Sequence, residues 1–95
     1  MQLTEQNQYE QGIYAIFNSA TSDFYVGQTN CFGRRKQEHW NDLRNGTHVN
    51  EALQTAWNKY GEERFVFTIL EIVKYDSQLP LKEHYWIDRL GSYNS

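Results

Sequence analysis

Two tyrosines near the start of the chain lie in short apolar runs whose spacing fits a β-hairpin. Tyr14 ends the run Gly-Ile-Tyr over 12–14, and Tyr25 begins the run Tyr-Val-Gly over 25–27. In two antiparallel strands joined by a turn, an even register puts both phenols on the same face of the sheet. We therefore expect the two hydroxyl-bearing rings to lie side by side.

Arg35, His39, His48 and Glu83 are the residue types that phosphate-ester chemistry needs. Hydrolysis of a phosphodiester requires an activated water, neutralisation of the phosphoryl charge and help for the departing oxygen. Arg35 and His39 are four residues apart, so a helix would place them on one face. Glu83 falls on the apolar face of a predicted helix, where a carboxylate must pair, bind a cation, raise its pKa or reach the rim.

Hydrophobic periodicity predicts elements in the order β-β-α-α-β-α. The predicted strands cover 12–17, 24–27 and 64–73, and the predicted helices cover 31–45, 49–60 and 79–90. The third strand is apolar at both alternating sets of positions, which is typical of a central strand. We expect an α+β fold, in which helices flank a small three-stranded antiparallel sheet. The expected core residues are Phe17, Leu53, Trp57, Phe67, Ile69, Trp86, Ile87 and Leu90.

Length and composition indicate one globular domain of 95 residues, with 39% apolar and 16% aromatic side chains. We assign residues 1–11 to a polar leader that frays and residues 12–95 to the domain. The chain has no apolar run long enough for a membrane span and no signal segment, so we expect a cytoplasmic protein without a membrane partner. The net charge is −3, yet basic residues cluster between Arg34 and His48, which is compatible with a local positive face.

Zinc and organic cofactors are not expected from the motifs. Cys31, His39, His48 and His84 are zinc-type residues, but their spacing matches no zinc-binding pattern. The chain also lacks a glycine-rich phosphate loop.

Taken together, the motifs resemble the GIY-YIG nuclease family, and most closely the catalytic domain of its phage and intron homing-endonuclease branch. The motifs that carry the resemblance are Gly12-Ile13-Tyr14, Tyr25-Val26-Gly27 after ten residues, Gln28-Thr29, Arg35 with His39, Tyr60-Gly61, Phe65, the run Glu83-His84-Tyr85-Trp86-Ile87-Asp88 and Tyr93-Asn94. Val26 stands where the family usually has isoleucine, a β-branched exchange of small consequence. Homing enzymes of this branch usually carry a linker and a separate DNA-binding region, so the resemblance leaves sequence specificity open.

The resemblance implies that Glu83 holds one divalent cation, Mg²⁺ or alternatively Mn²⁺. Magnesium suits this assignment because it keeps several waters and often takes a single carboxylate together with substrate phosphate oxygens. The alternative is that Glu83 forms a buried ion pair with Arg35.

The resemblance also implies roles for the other polar residues of the site. Tyr14 is the candidate general base, Tyr25 orients the water or the phosphate, and Arg35 binds phosphate oxygens with its planar guanidinium. His39 shares protons with the attacking water or holds Tyr14 in place. The expected substrate contacts come from Arg34, Lys36, His48 and Asn94.

The function that follows is a metal-dependent DNA endonuclease of low or unknown sequence specificity, working as a monomer or weak dimer in a bacterial or phage-infected cell. The alternative is a catalytically inactive, nuclease-derived module that binds nucleic acid or protein. RNA, single-stranded DNA and branched DNA stay open as substrates.

Overall fold

The fold is seen in a computed structural model that describes residues 1–94. Three strands form one antiparallel sheet, and three α-helices flank it, in the predicted order. The elements are β1 (Gly12–Asn18), β2 (Asp23–Thr29), α1 (Phe32–Asn45), α2 (Glu51–Tyr60), β3 (Phe65–Ile72) and α3 (Leu79–Leu90). The predicted α+β class and the element order are therefore confirmed.

The central strand is β1, because the strand order is β2-β1-β3. The prediction that β3 is central was wrong. In β3, Val66 and Ile72 are exposed while Phe65, Phe67 and Ile69 are buried, which is the alternation of an edge strand with one covered face. By contrast, the run 13–16 of β1 is buried on both faces.

The polar segment 1–11 packs against the domain, and the expectation that it frays was wrong. The backbone N–H of Gly33 donates to the Gln8 carbonyl at 2.7 Å, and that of Phe32 donates to the Glu10 carbonyl at 3.1 Å. These are N–H groups of the first turn of α1, which has no partner for them within the helix. Asn7 is buried and bonds to the backbone of Gln2 and Thr4. The segment thus anchors the start of the helix that carries Arg35 and His39.

Two apolar layers lie on opposite faces of the sheet. On one face α1 and α2 cover β1 and β3; on the other, α3 covers β1 and β2. Of the expected core residues, Leu53, Trp57, Phe67 and Ile69 are buried, whereas Phe17, Trp86, Ile87 and Leu90 are partly buried. Phe17 packs its ring 4.7 Å from that of Phe24 at the hairpin end.

The second helix begins later than predicted. It starts at Glu51, and Asn50 is its N-cap, accepting from the Leu53 N–H at 2.9 Å. Val49, which the apolar stripe had included, lies before the helix and is 88% exposed. The cap side chain decides this boundary, because it satisfies an N–H that a longer helix would have bonded internally.

Candidate active site

The hairpin register places the two tyrosines on one face, as predicted. Tyr25 lies opposite Ile16 and Tyr14 lies opposite Gly27. Positions 14 and 16 of a strand face the same way, so Tyr14 and Tyr25 share a face and are offset by one pair.

Gly27 leaves the space that the Tyr14 side chain occupies. A Cβ at position 27 would lie 2.3 Å from the Tyr14 Oη, so any larger residue would displace the phenol. The Tyr14 ring stacks on Phe67 with centroids 4.9 Å apart and is almost completely buried. The hydroxyl is therefore held beside the backbone of the edge strand β2.

Behind Tyr14 runs a chain of short hydrogen bonds. The Tyr14 Oη is 2.5 Å from His39 Nε2, and His39 Nδ1 is 2.7 Å from His48 Nε2. The His48 Nδ1 in turn accepts from the backbone N–H of Asn50 at 3.0 Å. The Tyr25 ring packs edge-on against both imidazoles, at 5.5 Å and 5.8 Å.

Burial controls the protonation of this cluster. It lowers the pKa of His39 to about 3, with the Arg35 and His48 charges acting in the same direction. It also lowers the pKa of His48, against an upward effect of Asp42. Loss of hydration raises the pKa of the Tyr14 phenol well above its usual value, and the Arg35 guanidinium partly offsets this. Both imidazoles are therefore neutral near pH 7, and Tyr14 is a neutral phenol.

Arg35 lies at the rim of this buried cluster. The positive charge of Arg35 and its hydrogen bond with the Tyr14 hydroxyl both favour the phenolate form of Tyr14. One guanidinium nitrogen, Nη1, also bonds to Glu38 Oε1 at 3.1 Å, in an ion pair that is half exposed to solvent. The guanidinium can thus reach both Tyr14 and an anion arriving from solvent.

Glu83 approaches the same strand edge from α3, on the other side of the sheet. Its Oε1 accepts a long hydrogen bond of 3.4 Å from Gln28 Nε2. The Glu83 charge raises the pKa of both Tyr14 and Tyr25, although burial is the larger cause for each. Within residues 1–94 the ion pair of Arg35 is with Glu38, so the alternative of a buried Arg35–Glu83 pair was wrong.

The donor set at Glu83 fits a hard cation with few protein ligands. Across residues 1–94, no three His, Cys, Asp or Glu side chains converge in a way that could hold a metal. A single partly buried carboxylate is compatible with Mg²⁺ or Mn²⁺, which can complete their shells with water and phosphate oxygens. Zinc sites in proteins usually have three or four converging protein ligands.

The other predicted substrate contacts are placed differently. Arg34 is exposed, bonds to the Asn30 side chain at 2.5 Å and lies 3.8 Å from Glu38. The Lys36 ammonium lies over the Trp40 ring at 5.2 Å, beside a cavity of about 430 Å³ that Glu62 also lines. Lys36 therefore does not join the tyrosine cluster.

The side chains of Asn94 and His48 both form hydrogen bonds within the protein. The Asn94 side-chain amide accepts from the Val26 N–H at 2.8 Å and donates to the Val26 carbonyl at 2.9 Å. It extends the hydrogen bonding of β2 next to Tyr25 and so supports the site from behind. His48 is 7% exposed and is part of the series of hydrogen bonds behind Tyr14.

Sequence reasoning missed Asn50, Gln28 and Glu38. Asn50 could have been found from its N-cap signal, an asparagine directly before a helix. Gln28 is paired with Ile13 across the hairpin, so it faces α3, which became visible only once the packing of that helix was known. Glu38 is one turn from Arg34 and Arg35, a spacing that favours ion pairs.

The fold and site together define a domain that can act on an anionic substrate at the edge of a small sheet. Comparison with known proteins gives the family. Residues 10–94 match the family model described as GIY-YIG catalytic domain. The chain therefore belongs to the GIY-YIG family, and the resemblance read from its motifs is confirmed.

Individual relatives agree with this assignment. The chain is 35% identical over 68 residues to the probable intron-encoded endonuclease 1 of Neurospora crassa; the match covers 72% of this chain and 21% of that protein. The chain thus spans about a fifth of the length of that relative.

Solved structures are similar over nearly the whole fold. The catalytic domain of homing endonuclease I-TevI has a TM-score of 0.82 and 34% identity, covering 87% of this chain and 90% of that one. A glutamate-to-alanine mutant of the same catalytic domain gives a TM-score of 0.80 at 34% identity, covering 87% and 86%. These two catalytic domains thus have the same fold as this chain.

No helix within residues 1–94 has the length and apolar character that crossing a membrane requires.

Proposed function

We propose that this protein is a metal-dependent endonuclease that hydrolyses phosphodiester bonds of DNA. What supports the proposal is that the charges of Arg35 and Glu83 both act on the pKa of the Tyr14 phenol, in a chain that belongs to the GIY-YIG family. A phenol, a guanidinium and a carboxylate are the minimum needed to activate water, bind the phosphoryl group and hold a cation.

Tyr14 acts as the general base in this proposal. Its phenolate form takes a proton from a water at the open side of the site, and the resulting hydroxide oxygen forms a bond to phosphorus. The bond from phosphorus to the leaving oxygen breaks in the same step, and the leaving oxygen takes up a proton from solvent. Arg35 supports the phenolate and binds two phosphoryl oxygens, and Tyr25 orients the water or the phosphate.

Glu83 is the proposed protein ligand of the cation. A bound Mg²⁺ or Mn²⁺ supplies positive charge that offsets the charge of the phosphoryl group as it reacts. Gln28 donates a long hydrogen bond to one oxygen of the Glu83 carboxylate, and this carboxylate would hold the cation.

DNA binding by this domain is proposed to be weak and of low sequence specificity. Arg34 is exposed on α1 and Arg35 is partly exposed at the rim of the site, and both are proposed phosphate contacts. One site per chain cuts one strand at a time, so a monomer or weak dimer nicks before it cuts through. We place this activity in the cytoplasm of a bacterial or phage-infected cell.

A plasmid-nicking assay tests the proposal. We expect nicking that depends on Mg²⁺ or Mn²⁺ and falls at least about 100-fold in Arg35→Ala and in Glu83→Gln. Arg64→Ala and Glu63→Gln are the matched controls, since both residues are exposed and lie outside the site. Circular dichroism and thermal melting check that every variant keeps its fold.

Two results would contradict the proposal. Nicking at the wild-type rate in both Arg35→Ala and Glu83→Gln would contradict the roles assigned to these two residues. Tight DNA binding without product at any divalent ion would favour the alternative, an inactive binding module.

A further inference from the structure

The hydrogen-bonded chain behind Tyr14 has a fixed direction, because it ends on a group that can only donate. The backbone N–H of Asn50 lies 3.0 Å from His48 Nδ1. A backbone N–H has no acceptor capacity, so His48 Nδ1 must carry its lone pair and no proton. This bond defines the tautomer of His48.

The tautomer of each following ring then has one solution. A neutral His48 carries its proton on Nε2, which is 2.7 Å from His39 Nδ1 and donates to it. His39 therefore carries its proton on Nε2, which is 2.5 Å from the Tyr14 Oη and donates to the phenol. The order of donation is Asn50 to His48 to His39 to Tyr14.

Protonated or reversed arrangements would bring two N–H groups face to face. An imidazolium at His48 would point a second N–H at Asn50. An imidazolium at His39 would donate to His48 Nε2 and push the single proton of His48 onto Nδ1, again facing the Asn50 N–H. Burial favours the neutral rings too, since His39 is 1% exposed and His48 is 7% exposed. The charges that also bear on the rings are Arg35, which disfavours both imidazolium forms, and Asp42, which favours the imidazolium form of His48 more strongly than Arg35 disfavours it.

We propose that the Asn50 amide fixes the direction of donation in this series of hydrogen bonds, so that protons do not leave Tyr14 through the histidines. His39 and His48 are positioning residues that donate to the Tyr14 oxygen, and the phenol exchanges its proton only on the side that faces Arg35 and solvent. For the catalytic cycle this rests on the proposed function: the proton taken from water stays on Tyr14 until it is released through the mouth of the site.

The proton balance follows from this arrangement. Tyr14 O–H loses its proton to solvent before attack, and the phenolate oxygen is then held by donors from His39 and Arg35. The phenolate next takes one proton from the attacking water and becomes O–H again. No step changes the protonation of His39 or His48.

Imidazole nitrogen NMR of the free protein tests the tautomers directly, without DNA or metal. Long-range ¹⁵N–¹H correlation spectra distinguish a protonated ring nitrogen from an unprotonated one. We expect protonated Nε2 and unprotonated Nδ1 for both His39 and His48 at pH 7 and above. His84, on the exposed side of α3, gives a reference signal in the same spectra.

Tyr14→Phe is the decisive variant, because it removes the hydroxyl and nearly preserves the ring volume. If Asn50 sets the direction, both histidines keep the same tautomer in this variant. A switch of either ring to Nδ1–H in the variant, or an Nδ1–H or imidazolium form in the wild type at pH 7, would overturn the proposal. Because the spectra need no catalysis, the proposed nuclease activity can fail in the nicking assay while the tautomer result stands, and the reverse.

Discussion

At the scale of single residues, the site is defined by which partner each polar group already has. His39 and His48 use both ring nitrogens inside the protein, and Asn94 uses both ends of its amide on Val26. Arg35 is different, because its partner Glu38 is half exposed and can be displaced by another anion. The guanidinium that the proposed function assigns to phosphate is therefore occupied by a carboxylate in the free protein.

This competition gives a prediction for Glu38→Gln. Removing the carboxylate charge should leave Arg35 and Arg34 freer for phosphate and tighten DNA binding about two- to fivefold, the range expected for one exposed ion pair. Fluorescence anisotropy with a short duplex in Ca²⁺, which slows cleavage, would measure the dissociation constant. Glu63→Gln is the matched control, because it makes the same change in net charge at a position outside the ion pairs of Arg34 and Arg35 with Glu38. Equal tightening in both variants would show that net charge alone, not release of Arg35, explains the effect.

At the scale of elements, the hairpin is the part that brings the site together. The register sets Tyr14 against Gly27, and the absent side chain of Gly27 gives the phenol its place. Helix α1 then presents His39 to the phenol and Arg35 to the rim from adjacent turns. The segment before β1 holds the first turn of α1 through the Gln8 and Glu10 carbonyls. Position in the site is thus decided by backbone contacts as much as by the polar residues.

A pair of glycine variants separates this positioning from ordinary stability. Gly27→Ala places a methyl group against the Tyr14 hydroxyl and should lower the single-turnover cleavage rate about 100-fold, the cost of displacing a catalytic group by about 1 Å. Gly46→Ala is the control: its φ of 74° penalises alanine, but the methyl group meets open space. It should lose about 1 kcal/mol of stability in urea denaturation and cut DNA normally. A normal rate in Gly27→Ala would contradict the assigned role of Tyr14.

At the scale of the whole molecule, the two buried histidines make the free energy of unfolding depend on pH. The pKa of His39 falls to about 3 on folding and that of His48 is also lowered, so the unfolded chain binds more protons than the folded chain below about pH 6.5. Their contribution to stability is complete above the unfolded pKa and is lost as the pH falls. Glu62 and Glu71, whose pKa values are lowered by Arg44 and Lys82, act in the same sense only below about pH 4.5.

We therefore predict that the free energy of unfolding falls between pH 6.5 and pH 4.5, with a slope of up to about 1.4 kcal/mol per pH unit for each histidine. Urea denaturation at half-unit steps of pH measures the slope. His39→Gln should have a shallower slope across this window, although it is less stable at pH 7. An unchanged slope in this variant would show that His39 is not the buried titrating group.

Much of the fold could be predicted because its signals are local. The alternation in the hairpin, the four-residue spacing of Arg35 and His39, and glycines after each helix need no knowledge of distant contacts. The strand order was missed because the apolar run 64–73 reads alike at an edge or at the centre. What made β1 central is its pairing with both other strands, which depends on contacts far apart in the sequence.

The sequence predicted which residues lie in the candidate site better than it predicted the contacts and hydrogen bonds between them. Tyr14 and His39 were expected together, and the structure joins them directly. Lys36 was grouped with Arg35 because the two are adjacent in sequence, yet neighbouring positions on a helix point about 100° apart, and Lys36 turns to Trp40. The link from His48 to Asn50 runs through a backbone N–H, which no residue type reveals.

The pH dependence of single-turnover DNA cleavage tests the central claim, that the Tyr14 phenolate is the base. Because burial holds the pKa of Tyr14 above its usual value, only a small fraction is ionised near neutral pH. The wild-type rate should therefore rise about tenfold per pH unit between pH 6 and pH 9, and Tyr14→Phe should lose at least about 100-fold of it at every pH. Two results together would contradict this claim. The wild-type rate would not change with pH over this range, and Tyr14→Phe would cut at a rate within about threefold of the wild type.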